Sequence, residues 1–210
     1  MYLHPQGVSD ELIDAMLASK VVVPYFDLSL QHVSPRVLRG MGRWGGRVRF
    51  ERMIGRIRAG DPLAAVRTSF ILGFPGEEER DAIEVESFVE DTDIDWVGVF
   101  TYSPEAGTRS YDLSDRVPDS VARERAERVS RAAELTMDRR ASSLIGQELG
   151  VLVERYDIEA DRWTGRSHRE APEIDGEIGF DAPRPLSVGD YVPVRITGHS
   201  GADLEGVLAG

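Results

Sequence analysis

The sequence predicts an α/β domain with parallel strands, followed by a small all-β barrel of OB-like type. Three observations support this prediction. Apolar strand patterns alternate with amphipathic helical patterns over residues 1–118. One long helical pattern then covers residues 119–145 and reads as a connector. Over residues 146–210 the pattern changes to short strands separated by turns.

The elements of the first part follow a strict order of strand and helix. Such alternation argues for parallel strands joined by helical crossovers, either in a doubly wound sheet or in a barrel. Four strands are too few to close a barrel. The predicted elements are strand 1–5, a helix from Ser9, strand Val21–Leu30, helix Pro35–Met41, a helix across Val48–Ile57, strand Thr68–Gly73, helix Glu77–Thr92 and strand Trp96–Tyr102.

Capping residues and chain breakers set the boundaries near the N-terminus. Ser9 is an N-cap with acidic residues behind it, and Ser34 followed by Pro35 is a second helix start. Four glycines between residues 40 and 46 predict a mobile or tightly turned loop. The first residues, MYLHP, resemble the tail of a strand.

The stretch Arg67–Glu79, RTSFILGFPGEEE, is the most informative part of the chain. Its apolar run, Thr68–Gly73, predicts a strand buried on both faces. Phe74, Pro75 and Gly76 break that strand, and three glutamates follow as the acidic first turn that a helix dipole favours. Ligands bind at the carboxyl ends of parallel strands, so this turn is a candidate cofactor rim.

Composition narrows the class of function. The chain has 37 acidic and 25 basic residues, a net charge of −12, which disfavours non-specific binding to nucleic acid or anionic membranes. Residues 144–210 alone carry 13 acidic and 6 basic side chains, a net of −7. No cysteine is present, so the chain cannot supply thiolate ligands to an iron–sulfur cluster. No apolar run is long enough for a membrane span, and a cytoplasmic location is expected.

Polar and aromatic residues follow four predicted strands. In a parallel sheet these four strand ends lie on one rim, the expected active-site face. Asp27, Ser29 and Gln31 also share one side of their strand, as do Arg67 and Ser69, and such polar sides need partners or a ligand. The rim residues are His4, Gln31, His32, Ser34, Phe74, Pro75, Gly76, Glu77, Tyr102 and Ser103.

Other chemistry is less well supported by these residues. His4 and His32 lie on different strands without a carboxylate at ligand spacing, so contacts to a cofactor or substrate explain them better than a metal does. A hydrolytic triad built on Ser34 and His32 lacks a Gly-x-Ser-x-Gly elbow, and Ser34 already has a role as a cap. A small α/β hydrolase is nevertheless kept as an alternative hypothesis.

Several ordered motifs together resemble the methylthiotransferase branch of the radical S-adenosylmethionine (radical SAM) enzymes. The long helix opens with VPDSVARERAERV, as that family's connector does. The motif HREAPEIDG at His168–Gly176 is similar to the TRAM domain of the branch that modifies a ribosomal protein. The match covers almost the whole chain. Its other motifs are YLHP at Tyr2–Pro5, YFDLSLQHVS at Tyr25–Ser34, RTSFILGFPGE at Arg67–Glu77 and VGVFTYSPEAGT at Val97–Thr108.

The resemblance implies a partial (β/α) barrel, here about four parallel strands, joined to a TRAM β-barrel. It implies an enzyme that uses S-adenosylmethionine and two 4Fe-4S clusters to add a methylthio group to an aspartate β-carbon of ribosomal protein S-twelve. Family members hold the clusters through cysteines in an N-terminal domain and on the first barrel strand, none of which occurs here. We therefore expect the chain to begin near the third strand of a six-stranded partial barrel and to be inactive alone. Without the first two strands, the sheet should have an exposed edge near Tyr2–His4 and an uncovered barrel face.

The resemblance also implies a cofactor pocket, with no catalytic residue or metal ligand assigned. Gln31, His32 and Ser34 would meet the polar parts of S-adenosylmethionine and Arg67 its carboxylate, while Phe74 and Tyr102 would shape the adenine slot with the backbone of Gly73 and Gly76. The acidic TRAM domain suits a basic ribosomal protein better than tRNA. The alternatives are the tRNA-adenosine methylthiotransferase branch and a cluster-free module that docks on the ribosome.

Overall fold

A computed structural model describes residues 2–209, which form an α/β layer joined by a long helix to a β-barrel. A 3-10 turn, Pro5–Gly7, follows the first strand. The elements are β1 Tyr2–Leu3, α1 Asp10–Ala18, β2 Tyr25–Gln31, α2 Pro35–Gly40, α3 Arg47–Gly60, β3 Ala65–Leu72, α4 Glu79–Asp91, β4 Trp96–Thr101, α5 Asp119–Ser143, β5 Glu148–Asp157, β6 Arg162–Arg166, β7 Ile178–Asp181, β8 Tyr191–Ser200 and β9 Asp203–Leu208.

The α/β layer is an open sheet of four parallel strands in the order β1-β2-β3-β4. Helices α1, α3, α4 and α5 bury its outer face around a core that includes Phe26, Phe50, Phe70 and Phe88. Phe88 meets both Phe50 and Phe70 edge to face, at centroid distances of 6.5 and 6.0 Å. The prediction of an incomplete barrel with about four parallel strands is confirmed.

Strand β2 starts four residues later than the apolar pattern predicted. Residues 21–23 are exposed, with Val21 93% exposed, and they belong to a turn. Ser19 Oγ accepts hydrogen bonds from the backbone N–H of Val21 and Val22, which holds that turn. The prediction of a strand from Val21 was wrong because a side chain satisfies the backbone donors that a sheet partner would otherwise take.

Strand β3 and helix α4 depart from the predicted boundaries in a way that affects the site. The outer face of β3 is buried, but the inner side chains Arg67, Ser69 and Ile71 are only partly covered, so the strand is not buried on both faces. Helix α4 begins at Glu79, with Glu78 as its cap in a capping box with Asp81. The first of the three glutamates therefore precedes the helix.

The C-terminal strands close into a barrel in the order β5-β6-β7-β9-β8. Its core contains Val151, Val153, Ile178, Phe180 and Val194, all at most 1% exposed. Strand β9 pairs antiparallel with β8 and parallel with β7, and this pairing completes the ring. The predicted small all-β barrel is confirmed, with β9 as a strand that the sequence pattern did not single out.

At one edge of the four-stranded sheet, β1 pairs with β2 along one side only within residues 2–209, and Tyr2 is 68% exposed. The expected edge near Tyr2–His4 is therefore present. Across the same residues, no helix combines the length and the apolar character needed to cross a bilayer.

Candidate functional site

A cavity of about 680 Å³ lies where the parallel strands end at their carboxyl termini. Its walls are the inner face and ends of β2, β3 and β4, the glycine-containing loop after α2, and the loop after β4. A volume of this size suits a cofactor-sized molecule. The lining includes Gln31, Met41, Arg43, Ser69, Ile71, Phe74, Thr101, Tyr102, Glu105 and Arg109.

Gln31 enters this cavity through an irregular end of β2. The register between β2 and β3 shifts between Leu28 and Gln31, and Gln31 has a φ of +66°. A residue with a Cβ in this left-handed conformation costs about 1 kcal/mol or more, and such residues concentrate at functional sites. The bulge turns the last side chain of the strand toward the cavity.

An aromatic pair forms one wall. The rings of Phe74 and Tyr102 meet edge to face, with centroids 5.2 Å apart and an interplanar angle of 75°. Phe74 is buried, and the buried hydroxyl of Tyr102 has no hydrogen-bond partner among residues 2–209. A buried hydroxyl left without a partner is costly, so its position favours a polar ligand atom in the cavity.

The turn after β3 depends on Gly73 and on Glu77. Gly73 has a φ of +81°, and a Cβ added there would lie 2.4 Å from Cβ of Ala122 on α5. The Glu77 carboxylate accepts a hydrogen bond from the Gly73 N–H at 2.9 Å and pairs with Arg125 of α5 at 2.9 Å. Gly76 also has a φ of +81°. Glu77 thus fastens the turn to the long helix rather than opening a helix.

His32 and Ser34 lie in the layer behind the cavity wall. Nδ1 of His32 accepts hydrogen bonds from the backbone N–H groups of Val33 and Ser34, each at 3.0 Å. Its Nε2 lies 3.5 Å from Oε2 of Glu77. Ser34 makes no capping bond from its side chain and instead donates to Asp81 Oδ1 at 2.7 Å. Both residues therefore hold the end of β2 in place from behind the cavity wall and do not line the cavity.

Arg67 lies near the amino end of β3, away from the aromatic wall. Its Nη1 donates to Oδ1 of Asp175 at 2.7 Å, and its Nε is 4.0 Å from Asp27 Oδ2. Asp175 belongs to the segment between β6 and β7, so the barrel domain reaches into the open inner face of the sheet. The hydroxyl of Tyr25 also donates to Asp175, at 2.7 Å. At its amino end, the sheet face that was expected to be uncovered is therefore covered by the second domain.

A second buried cluster fixes the same domain junction. Asp95, just before β4, accepts from Arg58 and Arg169 at 2.5 Å each and from Arg140 at 3.1 Å. Burial alone would raise the pKa of Asp95, but these three guanidinium groups, with the Val66 N–H, lower it to about 2. Asp95 therefore stays charged and ties α3, α5 and the barrel domain to the sheet.

The structure brings together only part of the predicted cofactor set. Gln31, Phe74 and Tyr102 line the cavity, whereas Gly73, Gly76, His32 and Ser34 build its frame and Arg67 serves the domain junction. Sequence reasoning missed Arg43, Asp95 and Asp175. A signal existed for two of them, since Arg43 lies in the glycine-rich loop and Asp175 in the HREAPEIDG motif.

The residues present fit an organic cofactor better than an iron–sulfur cluster. The cavity offers an aromatic wall and a buried hydroxyl without a partner. A 4Fe-4S cluster is held by cysteine thiolates, and the chain contains none. Residues 2–209 also contain no group of three or more histidine, aspartate or glutamate side chains placed to hold a metal ion.

The chain is similar to known proteins in sequence and in fold. The TRAM domain family matches residues 145–208. The solved structure of Escherichia coli coproporphyrinogen III oxidase (HemN), a radical SAM enzyme, is similar with a TM-score of 0.53 and 14% sequence identity, over 62% of this chain and 31% of that one. At that identity the likeness shows a shared fold.

Three relatives carry the name ribosomal protein uS12 methylthiotransferase RimO. The Streptomyces coelicolor protein is 42% identical over 97% of this chain, that of Kineococcus radiotolerans 44% over 97%, and that of Aquifex aeolicus 40% over 98%. The chain spans 42%, 43% and 48% of their respective lengths. Along 97–98% of its own length, the chain is therefore similar to part of the proteins named ribosomal protein uS12 methylthiotransferase.

Proposed function

We propose that this chain forms one wall of the S-adenosylmethionine site of a methylthiotransferase. The enzyme would act on an aspartate β-carbon of ribosomal protein uS12 (S-twelve). The observation that carries the proposal is the cavity at the strand ends, within a sequence that is 40–44% identical along 97–98% of its length to relatives named for that reaction. Ligand sites of α/β barrels lie at this end of the strands.

Specific residues would hold the cofactor there. Phe74 and Tyr102 provide an apolar slot for the adenine ring, and the Tyr102 hydroxyl gains a polar partner when the slot is filled. Gln31 offers an amide to the polar part of the cofactor. Gly73 and Gly76 keep the turn close to the cavity, and His32 and Ser34 act through the β2 end that they position.

The radical chemistry comes from bound S-adenosylmethionine and two 4Fe-4S clusters, as the resemblance implies, and the chain's own residues bind and orient. Without cysteine this chain does not provide the cluster ligands, so we propose that they are supplied from outside these 210 residues and that the chain alone is catalytically incompetent. We also propose that the chain divides at residues 118 and 145 into a barrel portion, a connector helix and a TRAM domain. We propose that the protein acts in the cytoplasm, where its ribosomal protein substrate is found.

The charge of the barrel domain supports docking on a basic protein. Residues 144–210 have a net charge of −7. Four of their six arginines are already paired with carboxylates: Arg155 with Glu177, Arg162 with Glu205, Arg166 with Glu154 and Arg169 with Asp95. Few cations remain for phosphate contacts, so we propose uS12 as the partner and do not propose tRNA.

A second candidate is a cluster-free module that docks on the ribosome through the same domain. The lack of any cysteine favours it. Calorimetric titration with S-adenosylmethionine separates the two functions, because only the enzyme portion needs an adenine slot. Phe74→Ala should weaken binding about tenfold or more, given the buried area of an aromatic side chain, while the exposed control Glu173→Gln should leave it unchanged.

Lack of detectable binding by the unmodified chain would remove the cofactor-site proposal and leave the docking module. Reconstitution with iron and sulfide tests the cluster statement separately. The absorbance of a 4Fe-4S cluster should not develop in this chain, and its appearance would contradict the proposal that the ligands lie elsewhere.

A further inference from the structure

The turn between β3 and α4 is held from behind by the long helix α5. Phe74 is the residue of this turn that lines the cavity. The Gly76 N–H donates to the Asp115 carbonyl at 2.6 Å, in the loop before α5. Ala122 of α5 lies so close that a Cβ at Gly73 would be 2.4 Å from its own Cβ. The side of the turn that faces away from the cavity therefore lies on α5 and the loop before it.

The buried carboxylate of Glu77 fixes the shape of this turn. Its side chain is fully buried, and its Oε2 accepts from the Gly73 N–H at 2.9 Å. The Glu77 N–H donates to the Phe74 carbonyl at 2.9 Å, so two hydrogen bonds close the turn around Phe74. A buried carboxylate needs a counter-charge, because its removal from water is costly. Within residues 2–209, Arg125 is the one guanidinium that pairs with Glu77, at 2.9 Å.

Arg125 makes three contacts at the base of the turn. Besides the Glu77 carboxylate, its Nη1 donates to the Glu77 carbonyl at 3.2 Å, and its Nε donates to Glu79 Oε2 at 3.1 Å. The Arg125 side chain is only 8% exposed, so these contacts are shielded from water. Arg128, one turn later on α5, also binds Glu79, at 2.6 Å. Its other ion pairs are with one acid of α4 and one of α5, away from the turn.

We infer that Arg125 is a positioning residue for the adenine slot: through the Glu77 carboxylate, it keeps the turn in the shape that holds the Phe74 ring in the cavity wall. The inference rests on the proposed function, which places the adenine ring at Phe74 and Tyr102. Arg125 itself does not line the cavity. Near its other end, α5 packs Ala141 into the core of the barrel domain, so the adenine slot and that domain are attached to the same helix.

The test is calorimetric titration of the full 210-residue chain with S-adenosylmethionine and with adenosine. Arg125→Met keeps much of the side-chain length but loses its charge and its donors. It should weaken both ligands about fivefold, because a displaced Phe74 ring loses an aromatic contact of about that worth. The factor should be the same for both, since adenosine has the adenine ring but not the aminoacyl end. General loosening of the site would instead cost S-adenosylmethionine more than adenosine.

Three further variants separate Arg125 from its surroundings. Arg125→Lys keeps the charge and should restore part of the affinity. The control Arg128→Met removes a neighbouring guanidinium that also joins α4 to α5, but it leaves Glu77 paired, so it should bind both ligands like the parent. Arg125→Met/Glu77→Gln removes the charged pair as a unit and keeps an oxygen that can accept from the Gly73 N–H. If Arg125 acts through Glu77, the double variant binds no more weakly than Arg125→Met or Glu77→Gln alone.

Hydrogen exchange gives a readout that needs no ligand. The amides of Gly73 and Gly76, followed by NMR, should exchange faster in Arg125→Met than in the parent and in Arg128→Met, because the turn is no longer fastened to α5. Circular dichroism checks the fold of each variant. If Arg125→Met does not fold, Arg125→Lys and the double variant carry both comparisons.

The inference fails, with the cofactor site left standing, if Arg125→Met binds S-adenosylmethionine as tightly as the parent or if Arg128→Met loses as much affinity. Unchanged exchange of the Gly73 amide would overturn it as well. It also fails if the losses from Arg125→Met and Glu77→Gln add in the double variant, because Arg125 then does not act through Glu77. Absence of binding of either ligand to the unmodified chain would remove the proposed adenine slot, and the positioning role with it.

Discussion

Oδ1 of Asp175, in the barrel domain, accepts a hydrogen bond from Nη1 of Arg67 on the inner face of the sheet at 2.7 Å, 108 residues away in the chain. The Asp175 side chain is fully buried, and it also accepts from Tyr25 and from the Ala171 N–H. The barrel domain therefore closes the amino end of the open sheet, opposite the cavity. The two domains are joined by buried charge as well as by the connector helix.

Removal of Asp175 should destabilise the junction. Asp175→Ala leaves Arg67 and the Tyr25 hydroxyl without their partner, and we expect the free energy of unfolding to fall by about 2 to 3 kcal/mol. Urea unfolding measures this change. The nearby exposed control Glu173→Gln should stay within about 0.5 kcal/mol of the parent. Equal stability of Asp175→Ala and the control would mean that the contact does not hold the domains together.

Asp95 should make stability sensitive to acid. The pKa of Asp95 in the folded chain is about 2, below its ordinary 3.8. Ionised Asp95 therefore contributes fully to the free energy of unfolding well above pH 4, and this contribution is lost as the pH falls toward about 2. Over this range the unmodified chain should lose about 2 kcal/mol of stability relative to Asp95→Asn, which has no such proton to bind.

Urea titrations at a series of pH values between neutrality and the acid limit give that difference. At neutral pH, Asp95→Asn should be the less stable chain, since three arginines lose their counter-charge. The control Asp93→Asn, whose side chain is exposed and pairs with Arg139, should change this pH dependence little. A constant difference between Asp95→Asn and the parent at all pH values would contradict the lowered pKa.

Two glycines in one turn provide a matched steric test. Gly73 and Gly76 both have a φ of +81°, but an added Cβ meets Ala122 at 2.4 Å only at Gly73, and meets nothing within 4 Å at Gly76. Gly76→Ala should cost about 1 kcal/mol of backbone strain. Gly73→Ala should cost about 2 kcal/mol more, because α5 has to shift. Equal melting temperatures for the two variants would exclude the close approach.

Tyr102 separates stability from binding. Its buried hydroxyl has no partner in residues 2–209, so Tyr102→Phe should keep or slightly raise the free energy of unfolding. If the hydroxyl serves a ligand, the same change should weaken S-adenosylmethionine binding about fivefold. Thermal melts and calorimetric titration measure the two effects. A loss of stability together with unchanged affinity would show a structural role instead.

Salt dependence tests the docking proposal. The affinity of the chain for uS12 should fall as ionic strength rises, since the contact joins an acidic domain to a basic protein. tRNA should stay unbound throughout the titration. Arg195 and Arg184 make no ion pair within residues 2–209. If the part of the barrel domain around Arg195 contacts uS12, Arg195→Glu should strengthen binding, because it replaces a positive charge with a negative one opposite a basic protein. Tight tRNA binding at physiological salt would remove the proposal.

The order of strands and helices followed from the sequence because it depends on local patterns. Apolar runs, caps such as Ser9, and breakers such as Pro75 act within a few residues of themselves. The exceptions have local causes as well. Ser19 turns the chain where Val21–Val23 looked like a strand, and Glu77 binds the Gly73 N–H where it looked like the first turn of a helix.

Local patterns in the chain were enough to predict the alternating α/β layer, the all-β second domain, the lack of thiolate ligands and the aromatic residues at the strand ends. Three contacts could not be predicted in this way: Arg67 donates to Asp175, Ser34 donates to Asp81, and Arg43 lines the cavity without an ion pair within residues 2–209. The reason is physical. Periodicity fixes which side of an element a residue occupies, but a charged side chain takes its role from partners that are distant in the chain and are brought near only by packing.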